Sequence, residues 1–261
     1  MDIGDYMQLK KGMEFELQTF DLEDVERLSE PIFEACLSYV NSHLTSKELE
    51  KIDVKYQVGF FDDDRVSAYA DKKEGGYIVK INMATWFIIY SFCHCIIMQQ
   101  VVCDALSFKN EMSQENKMKY AEILTIMMMK ILFYHELGHI FNGHIDYIKD
   151  KEAEYIKNNP KYSSKDENAF SYEGRKARPF VSTEMWQALE WNADDFAASR
   201  MVGQYTFDEN IQHLGLFGKE HGLFFLLVAY VSLFTLMEMG VKVLKPEEYK
   251  DKEHLPKRIR L

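Results

Sequence analysis

The chain has 261 residues, a formal net charge of -11 and four cysteines, and 47% of its residues are hydrophobic. That length is enough to bury a sizeable apolar centre, and the acidic balance repels polyanions, so nucleic acid is not an expected partner. Cys93, Cys95 and Cys103 share one apolar segment, Cys36 stands apart, and residues 1–18 read as acidic rather than as an apolar leader. Reduced thiols and a cytoplasmic location are therefore expected, not a disulfide framework.

Residues 21–49 read as a helix, with Leu22, Val25, Leu28, Ile32, Phe33, Cys36 and Leu37 at helical spacing and Pro31 expected to break it or start a turn. From residue 52 the period changes. Residues 52–58 and 77–83 alternate apolar and polar side chains, residues 65–70 lie between them, and residues 71–76 (DKKEGG) carry turn chemistry. This predicts a small antiparallel sheet. Residues 86–102 hold His94, Gln99 and Gln100 within an apolar run, which favours a buried helix over a membrane span. A metal site at Cys93, His94 and Cys95 is disfavoured, because three consecutive helical side chains point in different directions.

Residues 120–133 (YAEILTIMMMKILF) contain no Gly or Pro and run as predicted helix into His135-Glu136-Leu137-Gly138-His139. The pattern is H-E-x-x-H. Two histidines four apart share one helix face, so both imidazoles can grip one metal ion. Glu136, one residue round, can reach a water on that metal as general base. A Zn2+ ion lowers the pKa of such a water to about 7, which points to peptide hydrolysis. Asn142-Gly143 supplies a helix end. A three-histidine signature is disfavoured, since the positions it needs hold Asn142 and Ile145, with Gly143 and His144 each one residue out of place.

Residues 146–178 are rich in charged and small polar side chains and are expected to begin as an extension of the motif helix. Most of this stretch reads as solvated surface, with a lid or recognition segment as the sharper alternative. Residues 188–198 (ALEWNADDFAA) are again helical. Glu190 and Asp194 are four apart on one face, and a hydrolytic zinc site needs a third protein ligand. Glu190 takes that place. Asp194, one turn on, is suited to accept a hydrogen bond from the non-ligating nitrogen of a zinc-bound histidine. Ala193, Ala197 and Ala198 let this helix approach the motif helix closely. Gly222–Met237 is apolar but shorter than the ~20 residues of a membrane span, and reads as a core helix, with membrane association as the alternative. Residues 257–260 (KRIR) read as a solvated tail.

HELGH with ExxAD, as His135 to His139 and Glu190 to Asp194, resembles the gluzincin group of zinc metallopeptidases. Within it, HELGHIFNGH and EWNADDFAA are similar to Lit-type phage-exclusion and ImmA/IrrE-type regulatory peptidases, and to membrane peptidases of the HtpX type. The resemblance implies an α+β, mainly helical, zincin-like fold with a small antiparallel sheet before the motif helix. It implies one Zn2+ per chain on His135, His139 and Glu190, Glu136 as catalytic base, Asp194 behind a ligand, and a chosen cytosolic protein or peptide as substrate. Related peptidases place an oxyanion-stabilising group after the third-ligand helix, where His213, His221 and Tyr205 are candidates. They also bind substrate as an added strand at a sheet edge, for which residues 77–83 are the first guess.

One catalytic domain over 1–261 is expected, with a helical part (1–50), the sheet (51–84), the motif helix (115–148), the third-ligand helix (183–203) and a C-terminal helical part (215–261). The rival readings are a regulatory module that keeps zinc as a strut and does no chemistry, and a membrane-associated peptidase. A water-directed Glu136 argues against the strut.

Overall fold

The structure, a computed structural model, describes residues 22–43, 52–59, 66–99, 102, 114–161, 179–207 and 219–244. Within these, six helices accompany a three-stranded sheet, a mainly helical arrangement compatible with α+β.

Helix α1 spans Leu22–Ser42. Its buried stripe, Val25, Ser29, Ile32, Phe33, Cys36, Leu37 and Val40, follows the helical period and faces the core. Pro31 does not end the helix as expected; it lies inside it, on the exposed side. A proline inside a helix costs about 3 kcal/mol. Burial of Ile32 and Phe33 beside it, at roughly 1.5–3 kcal/mol each, offsets that cost.

The sheet comprises β1 (Val54–Gly59), β2 (Ala68–Lys73) and β3 (Gly76–Asn82), in the order β1-β3-β2. It is mixed, not antiparallel as expected: β3 pairs antiparallel with β2 and parallel with β1. Alternation reports which face of a strand is buried, and that pattern is the same whichever neighbour the strand has and whichever way it runs. Residues 77–83, the guessed edge, therefore hold the central strand and run into the next helix, with Val79 and Ile81 fully buried. Most of the predicted turn is strand as well. Only Glu74-Gly75 turns, with Gly75 at φ 87°, a left-handed value that glycine adopts without strain.

Asn82 ends β3 and caps α2 (Met83–Ile97), its side-chain oxygen accepting the Ala84 N–H at 3.1 Å. Trp86, Ile89, Cys93 and Ile97 of α2 are fully buried. The apolarity of this helix is spent on the core.

Helix α3 (Gln114–Phe141) is the axis of the described residues and packs against the other five helices, β2 and β3, and through Phe133 against β1. Leu124, Met127, Met128, Met129, Phe133, Tyr134 and Leu137 are all buried, as befits a helix surrounded by protein. The stretch Lys117–Phe141 is long and apolar enough to cross a membrane, but most of it is buried inside the protein. Phe133 stacks on Phe33 of α1 at 4.4 Å between ring centroids, and both meet Tyr56 of β1 edge-on. Such pairs contribute about 0.5–1.5 kcal/mol each beyond burial, and these lock α1, β1 and α3 together.

At Gly143, φ 73°, the chain leaves α3 and starts α4 (His144–Asn158). Residues 146–158 are thus a separate helix, not an extension of the motif helix, because the left-handed residue redirects the backbone. The first turn of α4 is tied to the β2–β3 hairpin. Asp146 accepts hydrogen bonds from Lys72 Nζ at 2.6 Å and the Tyr77 hydroxyl at 2.5 Å, and Lys149 Nζ donates to the Lys72 carbonyl at 3.0 Å.

Helix α5 (Thr183–Phe207) lies along α3 in the most extensive helix pairing of the molecule. Helix α6 (Lys219–Leu244) crosses both. One face of α6, with Phe225, Leu226, Ala229, Leu233 and Phe234, is buried; Leu223, Phe224, Leu227 and Val231 lie exposed on another. Apolarity alone could not separate these two faces.

Candidate metal centre

The site forms between α3 and α5, which pack closely at Gly138. Gly138 makes that approach possible: a Cβ added there would stand 3.0 Å from the Ala193 Cα and 3.1 Å from its carbonyl oxygen. Phe141 and Phe196 stack beside this crossing with their planes 4° apart. The small residues of α5 were legible in sequence as a device for close packing. Their counterpart, a glycine inside the H-E-x-x-H pattern itself, carries no such signal, because that position of the pattern admits any residue.

His135 and His139, one turn apart on α3, face Glu190 on α5. One ligand atom from each lies within 4.8 Å of the others. His135 Nε2 and His139 Nε2 are 3.1 Å apart, and the Glu190 carboxylate oxygens lie 3.6 Å from His135 Nε2 and 4.0 Å from His139 Nε2. Zinc–ligand bonds of about 2.0–2.1 Å in a tetrahedron put neighbouring donors about 3.3 Å apart. Small adjustments by the Glu190 side chain close the difference, so the donor set fits a divalent cation of the zinc type. Among the described residues this is the group of His, Cys, Asp and Glu side chains with that geometry; Cys93, His94 and Cys95 do not form one.

Both imidazoles are held from behind. His135 Nδ1 meets Asp194 Oδ1 at 2.7 Å. Burial works against a charged His135, but the Asp194 hydrogen bond and charge, with Glu190 and Glu136 behind them, outweigh it and raise its pKa above the ordinary value. His139, almost fully buried, meets His144 Nδ1 with its own Nδ1 at 2.9 Å, and His144 Nε2 meets Asn192 Oδ1 at 2.9 Å. Burial pushes the His144 pKa below its ordinary value, which favours the uncharged ring. His144 attracted notice in sequence only as a misplaced third ligand; spacing along one strand of chain cannot reveal that it turns back onto His139 from a different helix.

Glu136 is 4% exposed, and its charge bears on His135. Asp194 and Glu190 are equally withdrawn from solvent, at 9% each. Acidic groups are seldom so buried unless paired or ligating.

The three candidates for an oxyanion donor fare differently. Tyr205 lies eleven residues beyond Asp194, about 16 Å along the α5 axis. Its ring sits under Lys130 Nζ at 5.9 Å, away from the ligand atoms. His213 falls outside the described residues, as does the side chain of His221 in the first turn of α6. Helix α6 carries a further tyrosine, Tyr230. Its hydroxyl is buried without a hydrogen-bond partner among the described residues, and burial followed by the Asp194 charge pushes its pKa up, leaving a neutral phenol. An apolar helix read as core gives no signal that its one tyrosine comes under the influence of the Asp194 charge.

No family model matches the chain, and comparison with curated proteins and with solved structures returns no match.

Proposed function

We propose that the chain is a zinc-dependent endopeptidase acting on a selected protein or peptide. The observation that carries this reading is the convergence of His135, His139 and Glu190 donor atoms from two helices within 4.8 Å, with the buried Glu136 beside them. A zinc ion held there supplies a Lewis acid and a water whose pKa falls to about 7. The chain's own groups supply the rest. Glu136 takes a proton from the attacking water and delivers it to the amine nitrogen as the peptide C–N bond breaks. Asp194 holds His135 by its outer nitrogen and, as a fixed anion, supports the ligand's basicity. Tyr230 is the neutral donor in this reading for the negative charge that builds on the carbonyl oxygen. A purely structural zinc has no use for a buried carboxylate at the position of Glu136.

Glu136→Gln tests it. The variant should bind zinc as the native chain does and lose cleavage by several orders of magnitude. Newly formed N-termini in cells expressing the native chain, absent with the variant, would identify the substrate. Undiminished cleavage by the variant, or a purified native chain that takes up no zinc, would overturn the proposal.

A further inference from the structure

The site contains a continuous line of five side chains within hydrogen-bonding distance of one another, with an acceptor, the Asp194 carboxylate or the Asn192 amide oxygen, at each end. It runs from Asp194 through His135, His139 and His144 to Asn192, with successive separations of 2.7, 3.1, 2.9 and 2.9 Å. Both ends lie on the same stretch of α5, two residues apart. The Asn192 amide oxygen can only accept, so His144 must donate from Nε2, and in its uncharged form it presents a lone pair at Nδ1. That lone pair faces His139 Nδ1, which must therefore carry a hydrogen. The remaining lone pair of His139 then lies on Nε2, toward Glu190.

We infer that His144 and Asn192 are positioning residues, a neutral relay that holds His139 in the tautomer whose Nε2 is available to a metal. The usual partner behind a ligating histidine is a carboxylate, a backbone carbonyl or water. Here His135 has the carboxylate and His139 has an uncharged ring, so the two ligands differ in donor strength. His144 is anchored from outside the ligand helices, whereas Asn192 lies on α5 with Glu190. His144 opens α4 immediately after the left-handed Gly143, and Asp146, two residues on, is clamped to the hairpin by Lys72 and Tyr77. His144 itself is 4% exposed, so water does not compete freely for its ring nitrogens.

The consequence for metal affinity rests on the zinc-site reading above, whereas the tautomer of His139 does not. His144→Asn offers an amide oxygen close to where Nδ1 stood; His144→Leu keeps the apolar bulk and removes the acceptor. Zinc affinity, measured by competition with a chelator, should fall about 10–100-fold in the leucine variant and return to within a few-fold of native in the asparagine variant. The reverse order, with leucine restoring affinity and asparagine not, would show that His144 only fills space and would overturn the inference. Nitrogen-15 spectra of the metal-free native chain provide the second readout: His139 should carry its hydrogen on Nδ1 and His144 on Nε2. A hydrogen on His139 Nε2 alone would overturn the inference whether or not zinc binds. If the native chain takes up no zinc but shows the expected tautomers, the peptidase proposal fails and the relay stands. Should both His144 variants fail to fold, Asn192→Leu decides: it should release His144 from the single Nε2–H form, and an unchanged spectrum would count against the relay.

Discussion

Gly138 and Ala193 meet between α3 and α5, where a methyl group on the glycine would press on backbone atoms of α5 at 3.0 and 3.1 Å. Backbone cannot rotate aside as a flexible side chain can. Gly138→Ala gains about 1 kcal/mol in helix propensity but forces α5 outward, an overpacking cost of about 1–3 kcal/mol. The net change in stability of the metal-free protein should be small. The loss in zinc affinity should be larger, because a shift of a few tenths of an ångström acts directly on the distance from Glu190 to the two histidines. Thermal melting of the metal-free chain and chelator competition, run on the same variant, check this; equal affinity with a lowered Tm would refute it.

Asp194→Asn removes the negative charge behind His135 while leaving a side chain of the same shape. Zinc affinity should fall by about 10-fold or more, as for other partners of ligating histidines. Native-like affinity in this variant would mean that the 2.7 Å contact contributes orientation without charge.

Tyr230→Phe separates the chemistry from the fold. Removing a buried hydroxyl that lacks a partner is close to neutral or slightly stabilising, so the Tm should hold or rise. If the phenol stabilises the developing oxyanion, kcat should drop about 100-fold with zinc affinity unchanged. An unaltered kcat would assign that donor elsewhere.

The clamp on α4 has a definite pH dependence. Burial pushes the Asp146 carboxyl up, but hydrogen bonds from Lys72 and Tyr77 and the charges of Lys72 and Lys149 outweigh this and hold its pKa below the ordinary value of 3.8. A depressed folded-state pKa means that the stabilisation is present above the unfolded value and is lost as pH falls through the folded one. The side chains of Lys72 and Asp146 are 45% and 41% exposed, so solvent screening limits the contribution to about 0.5–1 kcal/mol. Asp146→Asn should therefore melt a few degrees below native at pH 7, and the gap should close as pH drops below 3.8. A gap that persists unchanged at pH 2.5 would rule out the carboxylate as its origin.

What can be read without a structure is what the helix repeat dictates locally. His135 with His139 and Glu190 with Asp194 are four residues apart, and 3.6 residues per turn put each pair on one face whatever surrounds it. The same holds for the buried stripe of α1 and for the period of two in the strands. Tertiary structure decided everything that depends on contact between segments distant in the chain: the central place of β3 and its parallel pairing with β1, the fit of Gly138 against Ala193, the turn of His144 back onto His139, and the exposure of Tyr230 to Asp194. Periodicity states which side of an element is covered. It carries no information about what covers it, because any apolar surface of the right shape satisfies the same pattern.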